Sequence, residues 1–187
     1  MGPECDGEVE CPVPHEGSES GLTFFMNILE KEIEDIVYYT SVQKLSKRGL
    51  NLYENRVRQV ALGPYGIADI ICYRKIDTKY DIQILEIKKE EVSDSAFFQA
   101  IRYSKAVLHI IGEENINSLS IILIGKYIDR SEPLCYTPDI FHNLKIFTYS
   151  ISIDLGILFR QEGGYGLDIG DNSGLTADTI LSPRFPF

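Results

Sequence analysis

Two neighbouring strand-like segments each carry an acidic residue where apolar side chains are expected. Residues 67–72 are apolar enough to form a central strand, yet the segment contains Asp69. Residues 82–88 are similarly apolar, yet they contain Glu86 near the end of the segment. A carboxylate inside a sheet costs several kcal/mol unless it is paired or binds a metal ion. Each of these two acids therefore needs a partner, and that need constrains the fold.

The turns around these segments predict that the two acids come close together. Residues 63–66, Gly-Pro-Tyr-Gly, separate a strand at 56–62 from one at 67–73, and residues 77–79 separate the second strand from a third at 81–88. Short connections of this kind predict hairpins, and so an antiparallel meander. Glu86 and Lys88 lie on the same face of the third strand, roughly 7 Å apart along it. Across the hairpin, Asp69 can reach the same neighbourhood.

Two carboxylates and an ammonium group at one end of a sheet form a chemically coherent set. Asp69 and Glu86 offer the hard oxygen ligands that Mg²⁺ or Mn²⁺ prefers. A metal ion between them could lower the pKa of a bound water and stabilise charge on a phosphate. Lys88 could orient that water or neutralise the phosphorus centre. The alternative is an ion pair between Lys88 and one of the two acids that only holds the hairpin together.

The rest of the chain predicts helices packed on a mixed sheet. Apolar residues at helical spacing predict a first helix over 22–37, and a polar, Gly-bearing stretch at 44–55 indicates a loop. A second helix is predicted from Ser93 to about Ile111, with Gly112 as its stop. Further strands are predicted at 120–126, 145–149 and 153–160. This order predicts an α/β domain built from a helix, a three-stranded meander, a helix and further strands.

The helical periodicity also assigns faces to the two helices. In the second helix the predicted apolar stripe includes Phe97, Ala100 and Ile101, together with Ser104, Leu108 and Ile111. Gln99, Arg102 and Tyr103 fall roughly opposite that stripe, which would leave them free to face a ligand. In the first helix Glu30 flanks the apolar stripe more closely than Glu32 or Glu34 does, so we expect Glu30 to be the acid that faces inward.

Charge divides the chain into an acidic leader and one domain. Residues 1–20 contain six acids and no Lys or Arg, and predict a flexible leader ahead of a single domain at 21–187. The formal net charge is −10, and removing the six acids leaves −4 for residues 21–187. A negative balance argues against a nucleic-acid partner, because phosphate binding favours a basic surface. The objection weakens if some of the remaining acids are metal ligands.

Composition also bears on the compartment. Four scattered cysteines do not form a disulfide scaffold, and no apolar run reaches the roughly 20 residues of a membrane helix. We therefore expect a cytoplasmic protein without a membrane partner.

Three segments together resemble a known family. They are residues 66–69 (Gly-Ile-Ala-Asp), 84–88 (Ile-Leu-Glu-Ile-Lys) and 99–103 (Gln-Ala-Ile-Arg-Tyr). In this order the chain resembles the PD-(D/E)XK nuclease superfamily, which includes restriction endonucleases and archaeal Holliday-junction resolvases. The resemblance covers about residues 22–126. It implies a restriction-endonuclease-like core, that is, a mixed β-sheet flanked by helices in α-β-β-β-α-β order.

The resemblance also implies a role for each candidate residue. Asp69, Glu86 and the main-chain carbonyl of Ile87 would be ligands of Mg²⁺ or Mn²⁺, Lys88 the catalytic lysine, and Glu30 the acid that many members carry on the first helix. Gln99 and Tyr103 would match a helix motif that supports the site, with Arg102 beside them. The implied activity is hydrolysis of phosphodiester bonds by a metal-activated water, with DNA as the substrate and a homodimer as one possible assembly.

Two alternatives remain open from the sequence. The chain could be a nuclease-like fold without activity, acting as a binding or regulatory module, which its negative charge and small size favour. It could also act on RNA, which these residues do not distinguish from DNA. Cleavage position and sequence preference are equally open.

Overall fold

A computed structural model describes residues 28–129, 134, 137, 141 and 143–163 of the chain. The predicted leader at 1–20, the start of the predicted first helix and the glycine-rich tail beyond residue 163 lie outside the described residues. The bounds of the described helices are α1 Glu30–Tyr39, α2 Val42–Lys47 and α3 Asp94–Ile111. The bounds of the described strands are β1 Asn55–Ala61, β2 Ile67–Ile76, β3 Lys79–Ile87, β4 Ile116–Gly125, β5 Leu144–Ser152 and β6 Gly156–Glu162.

The strands form one six-stranded mixed sheet whose spatial order follows the chain, from β1 to β6. The β1–β2 and β2–β3 pairs are antiparallel, as the meander predicts. Helix α3 then crosses over the sheet, so β4 lies parallel to β3, and β5 lies parallel to β4. Strand β6 returns antiparallel to β5. The α/β class and the mixed sheet with flanking helices are confirmed.

Helices cover both faces of the sheet, which is why β3 can be apolar along most of its length. Residues 81–87 of β3 are all buried, as expected for a central strand covered on both sides. Ile33 and Val37 of α1 and Leu45 of α2 pack on one face. On the other face, Tyr103 of α3 packs in a cluster with Ile84. The part of β3 from Asp81 to Ile87 therefore lies within the layered core.

The predicted loop at 44–55 is wrong in its first part, because α2 extends to Lys47. Leu45 is fully buried, and its carbonyl accepts the main-chain N–H of Leu50, which is also fully buried. These two apolar anchors hold a short helix in a segment whose surface residues are polar. Local composition predicts a loop there, but burial of two leucines against the sheet stabilises a helical turn.

The predicted faces of α3 are also wrong. Its buried residues are Ala96, Ala100, Tyr103, Ala106 and Val107, whereas Ile101 is 41% exposed. Three alanines on the buried face let the helix approach the sheet closely, and Tyr103 fills the space that they leave. The predicted stripe followed the larger apolar side chains and so chose a face rotated from the true one. Tyr103 is therefore a core residue and does not face solvent.

Among the described residues, no helix is both long enough and apolar enough to cross a membrane.

Candidate active site

Asp69 is held at the point where the β2–β3 ladder ends. The last paired residues of that ladder are Ile70 and Leu85, and continuing the register by one position places Asp69 beside Glu86. The main-chain N–H of Ile87 donates a hydrogen bond to Asp69 Oδ2 at 2.8 Å. At this position the side chain of Asp69, instead of the main chain of β2, pairs with β3. This hydrogen bond fixes the Asp69 carboxylate against β3.

Glu86 is buried, and only one of its two carboxylate oxygens has a hydrogen-bond partner among the described residues. Its residue is 1% exposed, and its Oε1 atom accepts a hydrogen bond from Lys88 Nζ at 2.7 Å. Its other oxygen, Oε2, is buried and has no hydrogen-bond partner among the described residues. Since buried carboxylate oxygens in native proteins are nearly always partnered, this oxygen needs a physical explanation.

A second buried acid in the same strand shows how a purely structural carboxylate behaves here. Asp81 is 2% exposed and accepts hydrogen bonds from Ser118 Oγ at 2.6 Å, Asn117 Nδ2 at 2.7 Å and Arg74 Nε at 2.9 Å. These hydrogen bonds lower the pKa of Asp81, and the bond from Ser118 contributes most. At the other end of β3, Glu86 has one donor and its pKa moves in the opposite direction.

Burial raises the pKa values of both site carboxyls. The pKa of Glu86 rises to about 7, mainly because burial penalises its charge and secondly because Asp69 is negative. The pKa of Asp69 rises to about 6, again mainly through burial, although the hydrogen bond from Ile87 opposes the change. The surroundings therefore disfavour the ionised form of both carboxyls, and a bound cation would relieve that effect.

Lys88 supplies one positive charge to this pair. Burial lowers its pKa, but the hydrogen bond to Glu86 and the negative charges of Glu86, Glu30 and Asp69 outweigh that effect and raise it. The side chain of Lys88 is 28% exposed, so its ammonium group lies between the buried Glu86 and solvent. The structure therefore brings Asp69, Glu86 and Lys88 together, as the sequence predicts.

The first helix places its acids differently from the prediction. Glu30 is exposed and accepts the main-chain N–H of Lys89 at 3.2 Å through Oε2. The buried acid is Glu34, which is 6% exposed and accepts from Arg58 Nε at 3.0 Å and Gln59 Nε2 at 2.9 Å. Because α1 begins at Glu30, this residue lies at the open end of the helix, and Glu34 lies one turn further along, against β1. Both acids are close enough to raise the pKa of Asp69.

Gln99 and Tyr103 do meet, with Tyr103 inside the core and Gln99 partly buried beside it. Gln99 Nε2 donates a hydrogen bond to the Tyr103 hydroxyl, whose ring is 1% exposed. That ring lies against Gly66, which has φ +110 and precedes β2, and it packs in one cluster with Ala68, the neighbour of Asp69. Gln99 and Tyr103 therefore support the start of the strand that carries Asp69. Arg102 is exposed and makes no hydrogen bond or ion pair with the described residues.

Sequence reasoning missed Tyr149. This residue of β5 is 4% exposed and donates a hydrogen bond from its hydroxyl to the main-chain carbonyl of Lys89. Burial raises the pKa of Tyr149 to about 12, so its hydroxyl stays protonated and able to donate. No local pattern identifies this tyrosine, because its partner lies 60 positions earlier in the chain. Only the parallel packing of β3, β4 and β5 brings the two together.

The possible metal ligands here fit a site in which water fills several coordination positions, and not one formed by protein side chains alone. Within the described ranges, no group of three His, Cys, Asp or Glu side chains could hold a metal ion. Asp69 and Glu86 provide two carboxylates, with the main-chain carbonyl of Ile87 as the third group that the resemblance implies. Mg²⁺ in enzyme sites commonly uses one or two carboxylates and keeps several waters. The unpartnered Glu86 oxygen agrees with such a site.

Comparison with protein-family models, curated proteins and solved structures finds no match to this chain. Function therefore has to be inferred from the residues and their geometry.

Proposed function

We propose that this chain is a PD-(D/E)XK-type nuclease that hydrolyses phosphodiester bonds in DNA with the help of Mg²⁺ or Mn²⁺. One observation carries the proposal: Glu86 Oε2 is buried beside Asp69, and no described residue donates a hydrogen bond to it. The resemblance of residues 66–69, 84–88 and 99–103 to that superfamily agrees with it, as does the mixed sheet flanked by helices.

An ion pair that only holds the hairpin explains this arrangement less well. Lys88 reaches one oxygen of Glu86, at 2.7 Å, and leaves the other unpartnered. An unsatisfied buried carboxylate oxygen costs free energy, and Asp69 adds a second negative charge next to it. Asp81 shows that the same strand can satisfy a structural acid with three donors. A site with one unpartnered carboxylate oxygen and a second acid beside it favours the binding of a cation.

The chain's own residues divide the work of hydrolysis. Asp69, Glu86 and the Ile87 carbonyl would hold the metal ion, which when bound acidifies water and stabilises negative charge on a phosphate. Lys88 extends from the buried Glu86 towards solvent, where its ammonium group would hold a proton near the attacking water and counter the charge on the phosphorus centre. Tyr103 and Gln99 support the start of β2, so that Asp69 keeps its position.

Net charge does not exclude a DNA substrate, although it limits affinity. Residues 21–187 carry a formal charge of −4, and Asp69 and Glu86 contribute two of those negative charges. A divalent cation at these two acids would offset both, so that the ammonium group of Lys88 leaves the site positively charged where a phosphate would lie. We therefore expect DNA binding to be weak and to depend on the metal ion. Cytoplasmic location and a homodimer remain predictions.

The test compares Glu86→Gln with a matched control. Purified full-length protein is incubated with Mg²⁺ or Mn²⁺ and with single-stranded, duplex and branched DNA, and also with RNA of the same sequence. Glu54→Gln is the control, because Glu54 is exposed and makes no hydrogen bond or ion pair in the described structure. We expect cleavage by the wild type and by Glu54→Gln, and at least a hundredfold loss in Glu86→Gln.

Calorimetric titration with Mn²⁺ separates the alternatives. One equivalent bound by the wild type and lost in Glu86→Gln supports the site. Cleavage that survives in Glu86→Gln, or the absence of Mn²⁺ binding in a protein that binds DNA without cutting it, contradicts the proposal and favours a binding module.

A further inference from the structure

The backbone N–H and the backbone carbonyl of Lys89, the residue after Lys88, each form a hydrogen bond with a side chain distant in sequence. Resting on the proposed nuclease function, we propose that Glu30 and Tyr149 are positioning residues: they clamp the backbone of Lys89 on both sides of its Cα atom and so aim the ammonium group of Lys88. Glu30 Oε2 accepts the Lys89 N–H at 3.2 Å, and the Tyr149 hydroxyl donates to the Lys89 carbonyl.

The main chain on either side of Lys89 is already held by β4. The Lys88 N–H donates to the Ile124 carbonyl at 2.7 Å, and the Glu90 carbonyl accepts from the Lys126 N–H at 2.6 Å. The β2–β3 ladder has ended by this point, at Ile70 and Leu85. The Lys89 donor and acceptor are satisfied by side chains from α1 and β5 instead. The backbone contacts over residues 88–90 therefore come from α1, from β4 and the residue that follows it, and from β5.

This clamp is suited to orienting Lys88. The ammonium group of Lys88 lies 2.7 Å from Glu86. Its position depends on where the Lys88 backbone is held, and the contacts at the next residue help to fix that backbone. Tyr149 is 4% exposed and packs in the same core cluster as Ile33 and Ile87, so its hydroxyl is rigidly placed. A small misplacement of a reacting group lowers a rate by up to about a hundredfold. Loss of either clamp contact should thus lower turnover without removing a metal ligand.

The hydrogen bond that Glu30 accepts from Lys89 does not require a charge on Glu30. An acceptor for the Lys89 N–H can be an amide oxygen as well as a carboxylate, whereas a metal ligand or a charge partner cannot be replaced in this way. Glu30→Gln should therefore keep the clamp, and Glu30→Ala should break it. Tyr149→Phe should break the other contact and leave the ring in place. Tyr127→Phe is the matched control, because Tyr127 is 49% exposed and its hydroxyl makes no hydrogen bond with described residues.

The first measurement is DNA cleavage with saturating Mn²⁺. We expect kcat to fall about tenfold or more in Tyr149→Phe and in Glu30→Ala, with KM for DNA and the affinity for Mn²⁺ within threefold of wild type. Glu30→Gln and Tyr127→Phe should retain kcat within threefold. Equal loss in Glu30→Gln and Glu30→Ala would show that the charge of Glu30 matters and would overturn the clamp.

The second measurement does not depend on activity. In the metal-free protein, amide hydrogen exchange at Lys89 and the ¹⁵Nζ resonance of Lys88 are recorded by NMR for each variant. We expect faster exchange and a shifted Lys88 resonance in Tyr149→Phe and Glu30→Ala only. Unchanged exchange and an unchanged resonance in both would overturn the clamp, even if the wild type cleaves DNA. If the wild type cleaves nothing while these NMR changes appear, the proposed function fails and the clamp stands.

Discussion

The main-chain N–H of Ile87 donates to Asp69 Oδ2 at 2.8 Å, beside the final pair of the β2–β3 ladder. This contact joins the two strands through a side chain just where their backbones stop pairing. It orients the Asp69 carboxylate towards Glu86, the residue before Ile87, and it leaves Asp69 Oδ1 for another partner. If this contact served only to hold the two strands together, their backbone hydrogen bonds could have continued past this point instead. The geometry thus favours a site at this edge of the sheet, and several consequences can be measured.

The first consequence concerns stability and pH in the absence of metal. The pKa of Glu86 rises from 4.5 to about 7 on folding and that of Asp69 from 3.8 to about 6. Because the folded state holds these protons more tightly, stability is highest when the acids are protonated and falls as pH rises through about 4 to 7. Glu86→Gln removes the carboxyl with the larger pKa shift. The free energy of unfolding of this variant should therefore fall by about 2 kcal/mol less than that of the wild type as pH rises.

Urea unfolding between pH 5 and 8 in EDTA provides the check, with Glu54→Gln expected to follow the wild type. If wild-type stability does not decline over this range relative to Glu86→Gln, the two acids are less buried, or better paired, than the structure places them.

The second prediction concerns Lys88→Met, which keeps the length of the side chain and removes its charge. Glu86 then loses its one hydrogen-bond donor, so the metal-free variant should lose about 3 kcal/mol at pH 8. Adding Mn²⁺ should recover much of that loss, because a cation replaces the ammonium charge, whereas DNA cleavage should stay at least a hundredfold below wild type. Thermal denaturation with and without Mn²⁺ measures the recovery. Lys105→Met, on the exposed side of α3, should match the wild type in both assays.

The third prediction compares two glycines of the turn before β2. Gly66 has φ +110, and a Cβ atom added there would lie 3.2 Å from the Tyr103 ring. Gly63 has φ +60 and no atom within 4 Å of such a Cβ. Gly63→Ala should therefore lose only the backbone preference, about 1 kcal/mol, and Gly66→Ala should lose about 2–3 kcal/mol and reduce cleavage. Chemical denaturation separates the two, and equal losses would mean that Tyr103 does not press on this turn.

The fourth prediction concerns the other buried acid of β3. Asp81→Ala leaves the donors of Ser118, Asn117 and Arg74 without their common acceptor, so we expect a loss of about 2–4 kcal/mol. The pKa of Asp81 is lowered, so its contribution is present at neutral pH and disappears as pH falls below the ordinary value of 3.8. Below its unfolding temperature the variant should bind Mn²⁺ like the wild type. Impaired Mn²⁺ binding would instead link Asp81 to the site at the opposite end of the strand.

Local pattern was sufficient for the strands and for the main cluster. Alternation of side chains and the turns at 63–66 and 77–79 depend on neighbours in sequence, and they predicted the meander that unites Asp69, Glu86 and Lys88. The same kind of pattern failed for the second helix, where three alanines and Tyr103 form the buried face. The size of the apolar residues indicated one face, and the close approach of α3 to the sheet selected another.

The sequence by itself determined the order of the strands and of α1 and α3, though not the presence of α2. It also determined the edge of the sheet at which the acids gather, because periodicity and turn chemistry act over a few residues. The tertiary structure alone decided that Glu34 is buried, that Glu30 and Tyr149 meet at Lys89, and that one oxygen of Glu86 has no partner. These contacts join α1, β3 and β5, elements that lie far apart in the chain. Burial and hydrogen-bond satisfaction at such contacts depend on how whole elements pack, which no short window of residues encodes.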